Sequence, residues 1–146
     1  MRPEGPRSRY RFVHQMEVRF RDLDAIGHVN NAVFLTYFES ARMAWWLHLT
    51  GQEDLRGISM ILARAEVDFR SPLAYAERIE IGVGCTSIGR SSFVLEQDMH
   101  EQAGGRLVAS ARKVLVYFDY AANRSAAIPG DFRRRLLAQD PDAATR

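Results

Sequence analysis

The chain is poor in several things, and each shortage narrows what it can be. It has one cysteine, Cys85, in 146 residues. A disulfide framework within the chain and a multi-cysteine zinc site are therefore excluded, and a reducing compartment, the cytoplasm, is the expected location. Lysine is as scarce, since Lys113 is the one lysine among 20 basic side chains, set against 18 acidic ones. A formal charge of +2 is not the footprint of a nucleic-acid-binding surface. The longest basic run, Arg133-Arg134-Arg135, reads as a solvated helix face. No apolar run approaches the ~20 residues of a membrane span. The basic stretch Met1 to Arg11 has no apolar segment behind it of signal-peptide length. With 5 Pro and 10 Gly the chain is neither collagen-like nor of low complexity, and it holds no internal repeat. Motifs are missing too: there is no GxSxG nucleophile elbow, no GxGxxG or GxxxxGK phosphate loop and no HExxH zinc site. No metal or cofactor is called for, and any catalysis must come from carboxylate, histidine and backbone dipoles.

What remains is a globular chain, 47% apolar and 26% charged, of one domain's length. Residues 1–10 are basic and aperiodic, and a loose N-terminal tail is expected over 1–13. Met16, Val18 and Phe20 alternate with Glu17, Arg19 and Arg21, the pattern of a half-buried strand. A polar loop, Asp22 to Val29, leads to Asn30, which reads as an N-cap. Behind it Phe34, Phe38, Ala41, Trp45 and His48 keep a helical spacing that Tyr37 and Ala44 widen, and Gly51 sits where a helix stops. Such a helix has about 19 residues and a length near 28 Å at ~1.5 Å per residue. Val33, Leu35, Trp46 and Leu47 carry apolar surface around it, so other structure must wrap it.

Beyond a polar linker the chain reads as strands. Ile61, Ala63, Ala65, Val67 and Phe69 alternate with charged residues until Ser71-Pro72-Leu73 breaks the run. Ile79 to Cys85 alternate next, and Gly89-Arg90-Ser91 turns into Phe93 to Met99. Gly104-Gly105 opens a hairpin before the long strand Leu107 to Asp119. A short helix, Gly130 to Ala138, precedes a frayed tail over 139–146. One domain over 14–138 is expected. Strands that follow a single long helix argue an α+β fold with an antiparallel sheet curled around that helix.

The chemistry collects in Asp22 to Glu39, where two aspartates, a histidine and two asparagines stand just ahead of the helix N-terminus. Unpaired N–H groups and a partial positive charge at that terminus polarise a carbonyl. Asp24, seven residues before Asn31, reaches the same spot from the loop. A carboxylate facing a polarised carbonyl is the minimum kit for hydrolysing an activated acyl group, as general base or as nucleophile.

The run FRDLDAIGHVNNAVFLTYFESAR resembles the signature of hotdog-fold acyl thioesterases of the 4-hydroxybenzoyl-CoA thioesterase family. Tol–Pal-associated acyl-CoA thioesterases and plant acyl-ACP thioesterases share the likeness. It extends over roughly residues 14–135, through EVDFRSPLAYAERIEI, GRSSFVLEQDM and SARKVLVYFD. The resemblance implies a hotdog fold, a curved antiparallel sheet wrapped around one long central helix. It also implies acyl-CoA thioester hydrolysis without a cofactor, with an acyl carrier protein thioester as the alternative substrate. A homodimer joined sheet edge to sheet edge, with sites between protomers, or a homotetramer, is implied as well. Position by position, Asp24 matches the catalytic aspartate, the Asn31 backbone N–H the group that polarises the carbonyl, and His28 the histidine of the plant HVNN motif. Ile26 stands where the plant enzymes carry asparagine. Arg90 matches a basic residue near the coenzyme A phosphates, with Ser91 beside it, and Phe34 is a candidate for the acyl pocket.

Each residue also has a plainer reading. Asp24 can pair with Arg21 or accept loop N–H bonds, and His28 can bond backbone. Asn30 and Asn31 are cap residues, Glu39 has Arg42 three residues on for an ion pair, and Phe34 is core. Cys85 is inert packing, and His14, His48 and His100 suggest neither a metal site nor a catalytic dyad. Two other functions stay open: a non-catalytic acyl-CoA-binding hotdog protein, and a hotdog 3-hydroxyacyl-thioester dehydratase. The dehydratase needs its histidine in a proline-rich motif, which Val29-Asn30-Asn31 does not match.

Overall fold

Two caps set the limits of the longest element. Asn30 Oδ1 accepts the Ala32 N–H at 2.8 Å, and Gly51, at φ 69°, returns its N–H to Leu47 O at 2.9 Å. Between them α1 (Asn31–Thr50) runs for 20 residues. The computed structural model describes residues 9–146, so residues 1–8 of the expected tail lie outside the described residues. The sheet has five long strands: β1 (Phe12–Glu17), β2 (Met60–Phe69), β3 (Arg78–Ile88), β4 (Ser92–Glu101) and β5 (Leu107–Asp119). They lie in the order β1-β3-β4-β5-β2, every neighbour antiparallel. The short β6 (Arg124–Ser125) pairs with β5, α2 (Gly130–Gln139) follows, and β7 (Ala144–Thr145) closes the chain. The expected α+β arrangement, an antiparallel sheet around one long helix, is the one observed.

Phe34, Tyr37, Phe38, Ala41, Trp45 and Leu49 of α1 are buried against Ile79, Ile81 and Val83 of β3, Leu95 and Met99 of β4, and Ala109 and Leu115 of β5. Each large apolar side chain there contributes roughly 1.5–3 kcal/mol by leaving water. His48, at the edge of the helical stripe, is exposed instead. Its ring stacks on Phe12 at 5.2 Å and meets Gln139 Oε1 at 3.2 Å.

Among the described residues, the segments near both ends hold more structure than the pattern suggests. The first strand opens at Phe12, inside the expected tail, and ends at Glu17, so Phe20 falls in a single 3-10 turn and is 77% exposed. Tyr10 is buried flat on the outer face of β3. A Cβ on Gly82 would come within 2.4 Å of its ring, so glycine there makes the docking possible. The Tyr10 hydroxyl donates to Asp98 at 2.8 Å. At the C-terminus, β1 pairs with β3 only as far as Val83, leaving the last residues of β3 with an open edge. The expected frayed tail fills it. Asp140 Oδ2 accepts the Cys85 N–H at 2.9 Å, β7 pairs in parallel with Ser87–Ile88, and Arg146 N–H reaches Ile88 O at 2.9 Å. The arginine run is likewise only partly a solvated face. Arg133 donates to Gly89 O at 2.6 Å and Arg135 to Leu49 O at 3.2 Å, whereas Arg134 is exposed.

The opposite edge differs. In β2 the residues Leu62 to Glu66 are all exposed, and a bulge between Leu62 and Arg64 shifts the register. The alternation is that of a half-buried strand, yet α1 lies nearer β1 and β3 than β2 and leaves this edge uncovered. No helix among the described residues is long and apolar enough to cross a membrane.

Candidate active site

The loop before α1 folds back on itself. Leu23 and Val29 form an antiparallel bridge, the Asp24 N–H donates to His28 O at 2.8 Å, and the Gly27 N–H donates to Asp24 O at 3.1 Å. Gly27 sits at φ 82°, the left-handed region that a residue without Cβ enters freely. Asp24 Oδ1 accepts the N–H of Ile26 at 3.0 Å and of His28 at 3.4 Å. Its other oxygen has no partner among the described residues, and the side chain is exposed. The plain and the functional readings of Asp24 thus describe two different oxygens. No pairing with Arg21 is formed among the described residues.

Beneath the loop, Asp22 is buried and accepts from Arg19 Nε and Nη2, both at 3.1 Å, and from the Tyr37 hydroxyl at 2.5 Å. Burial opposes its ionisation, but these donors outweigh it and hold the carboxyl below the usual range. Burial and the adjacent Asp22 charge push the Tyr37 phenol up. Asp22 is therefore a fixed anion that anchors the loop to the second turn of α1. The Asn30 N–H to Asp22 O at 3.3 Å and the Val29 N–H to Leu73 O at 3.0 Å complete the anchor.

At the start of α1, Asn30 satisfies the N–H groups of Ala32 and Val33. The Asn31 N–H has no partner within the helix and none among the described residues. Asn31 lines a cleft of about 510 Å³ together with Asp24, His28, Phe69, Arg70 and Ser71. That size is in the range of small-molecule sites, roughly 300–1,000 Å³. Phe34, buried, forms its floor in edge contact with Phe69 at 5.4 Å. A charged oxygen, a free N–H at a helix N-terminus and an apolar floor can together hold an acyl group and polarise its carbonyl.

Asp24, His28, Asn31 and Phe34 are thus brought together. Arg90 and Ser91 are not. They form the β3–β4 turn, where Arg90 O accepts from Ile128 and Ser91 O accepts from Tyr117. The cleft residue Phe69 pairs with Ala109, whereas Ser92 pairs with Val116, seven residues away along β5 or about 23 Å at ~3.3 Å per residue. Sequence reasoning missed the wall made by Phe69, Arg70 and Ser71. Its signal was the strand break at Ser71-Pro72, where the N–H groups of Arg70 and Ser71 both turn to Val108 O, at 2.8 and 3.1 Å. Glu39 reaches Arg42 at 3.9 Å, the ion pair expected of it. Cys85 is buried, and burial pushes its thiol up to about 12. Among the described residues no three His, Cys, Asp or Glu side chains converge as a metal site would require.

Known proteins resemble this chain in sequence and fold. The long-chain acyl-CoA thioesterase FadM of Escherichia coli K12 is 26% identical over 127 residues, 84% of this chain and 94% of FadM. A thioesterase from Thermus thermophilus, solved as a complex with coenzyme A and zinc, is 35% identical and superposes with a TM-score of 0.78. That match covers 87% of this chain and 98% of the other. A predicted thioesterase from Bacillus stearothermophilus, 26% identical, superposes with a TM-score of 0.80 over 88% of this chain and 95% of its own. Residues 18–136 match the thioesterase-like superfamily, and with the central helix and wrapped sheet described above, the chain belongs to that superfamily and has its hotdog fold.

Proposed function

We propose that the protein hydrolyses acyl-CoA thioesters at the cleft before α1, with an acyl carrier protein thioester as the alternative substrate. The observation that carries this reading is that Asp24, with an unpartnered carboxylate oxygen, and Asn31, with an unpartnered N–H, line the same cleft as Phe34 and Phe69. The thioester oxygen would accept the Asn31 N–H, where the helix end stabilises the charge that develops as the carbonyl is attacked. Asp24 would supply the attacking oxygen or take the proton of an attacking water. The thiolate is a good leaving group, so no further acid is needed to expel it. His28, in the same cleft, is placed to orient that water or the thioester, and Phe34 to receive the start of the acyl chain. FadM acts on long-chain acyl-CoA and the Thermus protein binds coenzyme A, which supports the choice of substrate. The reducing-compartment reading of the lone Cys85 supports a cytoplasmic location for the activity.

We further propose that the working unit is a homodimer, paired further into a homotetramer if the outer faces also join. A ten-residue edge strand with exposed Leu62, Ala63 and Ala65 is an open template for pairing. Antiparallel pairing of β2 with a second copy sets the Phe69 end of one strand beside the Met60 end of the other. Met60 pairs with Tyr117, whose N–H meets Ser91. A second copy would therefore carry its Arg90–Ser91 turn toward this cleft, where the arginine fork suits coenzyme A phosphates.

Steady-state hydrolysis of an acyl-CoA panel by wild type and Asp24→Asn tests the chemistry. Asparagine keeps an oxygen for the Ile26 and His28 N–H groups, so folding is expected to be unchanged while kcat falls about 10²- to 10⁴-fold. Equal rates would remove Asp24 from the mechanism, and tight binding without turnover by wild type would favour a binding protein. Leu62→Asp, at the exposed edge, is expected to yield monomers on size-exclusion chromatography and to lose activity. A dimer that persists in that variant places the contact elsewhere.

A further inference from the structure

Two buried basic side chains, Arg42 of α1 and Lys113 of β5, take no part in the chemistry above. On α1, Asn31, Phe34, Phe38 and Arg42 recur at three- and four-residue intervals and share one flank. That flank begins at the cleft residues Asn31 and Phe34. Arg42 is 5% exposed; its Nη2 reaches Glu39 only at 3.9 Å, and its Nη1 has no partner among the described residues. Lys113 rises from β5 opposite Ala65 of β2, is 1% exposed, and sets its Nζ 4.8 Å from the centre of the Phe38 ring. No carboxylate among the described residues forms an ion pair with it, and the Glu39 side chain is 63% exposed to solvent. Gln97, diagonal to Lys113 on β4, is uncharged and donates its amide N–H to Phe38 O at 2.9 Å. Two cations thus share one distant, solvated carboxylate, whereas buried charges are normally paired.

Their distance from the cleft fits a ligand. Phe38 lies seven residues past Asn31, about 10 Å at ~1.5 Å per residue. Ala65 lies four residues from Phe69, about 13 Å at ~3.3 Å per residue. An acyl chain of roughly eight carbons, with bonds of ~1.5 Å in zigzag, spans that distance from a carbonyl held at Asn31.

We propose that Lys113 and Arg42 form a subsite for a carboxylate at the far end of the acyl chain, so that the favoured substrates are ω-carboxyacyl thioesters rather than methyl-ended ones. The proposal rests on the hydrolase reading and names its substrate class. Hydrolysis breaks the C–S bond and forms a C–O bond from water, releasing coenzyme A thiol and an α,ω-dicarboxylic acid. The distal carboxylate lies between ammonium and guanidinium, with the Phe38 ring as wall. Burial and the Arg42 charge pull the free Lys113 amine down to about 7, and a bound carboxylate restores its proton.

The test compares kcat/KM for octanoyl-CoA and for its ω-carboxy counterpart, suberyl-CoA, in wild type, Lys113→Met and Lys113→Arg, with size-exclusion profiles of each. Wild type is expected to favour suberyl-CoA at least tenfold, Lys113→Met to lose that preference, and Lys113→Arg to keep it. Equal or better hydrolysis of octanoyl-CoA by wild type overturns the subsite and leaves the hydrolase reading intact. Hydrolysis of neither overturns the subsite, and hydrolysis of no thioester in the acyl-CoA panel overturns the hydrolase reading as well. A change of assembly in Lys113→Met, with no preference in wild type, assigns the cations to contact with a second copy and also overturns the proposal.

Discussion

Lys113→Met removes an amine from the interior without changing the length of the side chain much, and its effect on stability is expected to depend on pH in a definite sense. Burial and the like charge of Arg42, opposed by the weaker pull of Glu39, move the amine from 10.5 in water to about 7 in the folded chain. That displacement amounts to about 5 kcal/mol at ~1.36 kcal/mol per unit, an order of magnitude for the full effect. Below about pH 7 the amine is protonated in both folded and unfolded chains, so the whole cost of burying it is present. Between about 7 and 10.5 the folded chain holds it neutral while the unfolded chain still binds a proton. The unfolded state binds more protons there, and stability rises with pH. Methionine has no such dependence. Urea unfolding of wild type and variant at pH 6, 8 and 10 is therefore expected to show the variant ahead at pH 6, with the lead shrinking by several kcal/mol toward pH 10. Subtracting one chain from the other cancels the titration of every shared group. A difference that stays constant from pH 6 to 10 would mean that the amine is hydrated or paired, and would refute the reasoning.

Two further outcomes are expected. Asp22→Ala leaves the Tyr37 hydroxyl and the Arg19 guanidinium without their acceptor and is expected to cost about 3 kcal/mol of stability. Because the folded Asp22 carboxyl lies below its ordinary value, that contribution is present at neutral pH and lost as pH falls through the folded value. The gap between wild type and Asp22→Ala should therefore narrow in acid, and an acid-insensitive gap would argue against an ionised Asp22. Cys85, buried with its thiol pushed up to about 12, is expected to resist a disulfide-exchange reagent at pH 8 in the folded protein and to react once urea is added. Rapid reaction of the native chain would contradict its burial.

The parts of the fold that were legible in sequence are those decided within a few residues. Asn30 and Gly51 bound α1 because a cap acts on N–H and C=O groups one turn away. Asp24 was legible for the same reason, since loop, carboxylate and helix start lie within eight residues. Tyr10 was not. Its burial needs Gly82, 72 positions on, and nothing near Tyr10 announces that contact. The C-terminal segment is ordered because β1 stops short on β3, a matter of relative strand length that no local pattern records. For β2 the period was visible but the exposure was not, because alternation tells which side chains share a face and not whether anything covers it. Lys113 carried a readable signal in its parity, falling in step with Ala109, Ala111 and Leu115, all buried, though a basic residue in a strand is ordinarily assigned to solvent. Arg90 and Ser91 belong to the far end of the sheet from the cleft, a separation set by strand length and pairing that no local pattern records.

The two acids of the loop stand two residues apart and live in different worlds, which bears on how this protein can change. Asp22 is riveted through Tyr37 to the central rod, so the root of the loop is inherited from the core, while its neighbour is held by backbone N–H groups of the tip and not by the side chains there. The exposed residues Ala25 and Ile26 project past that rivet like a flap on a fixed hinge post. Mutations there can reshape what enters the cleft while the carboxylate stays in place, and this separates the freedom to explore new acyl groups from the rigidity that turnover demands.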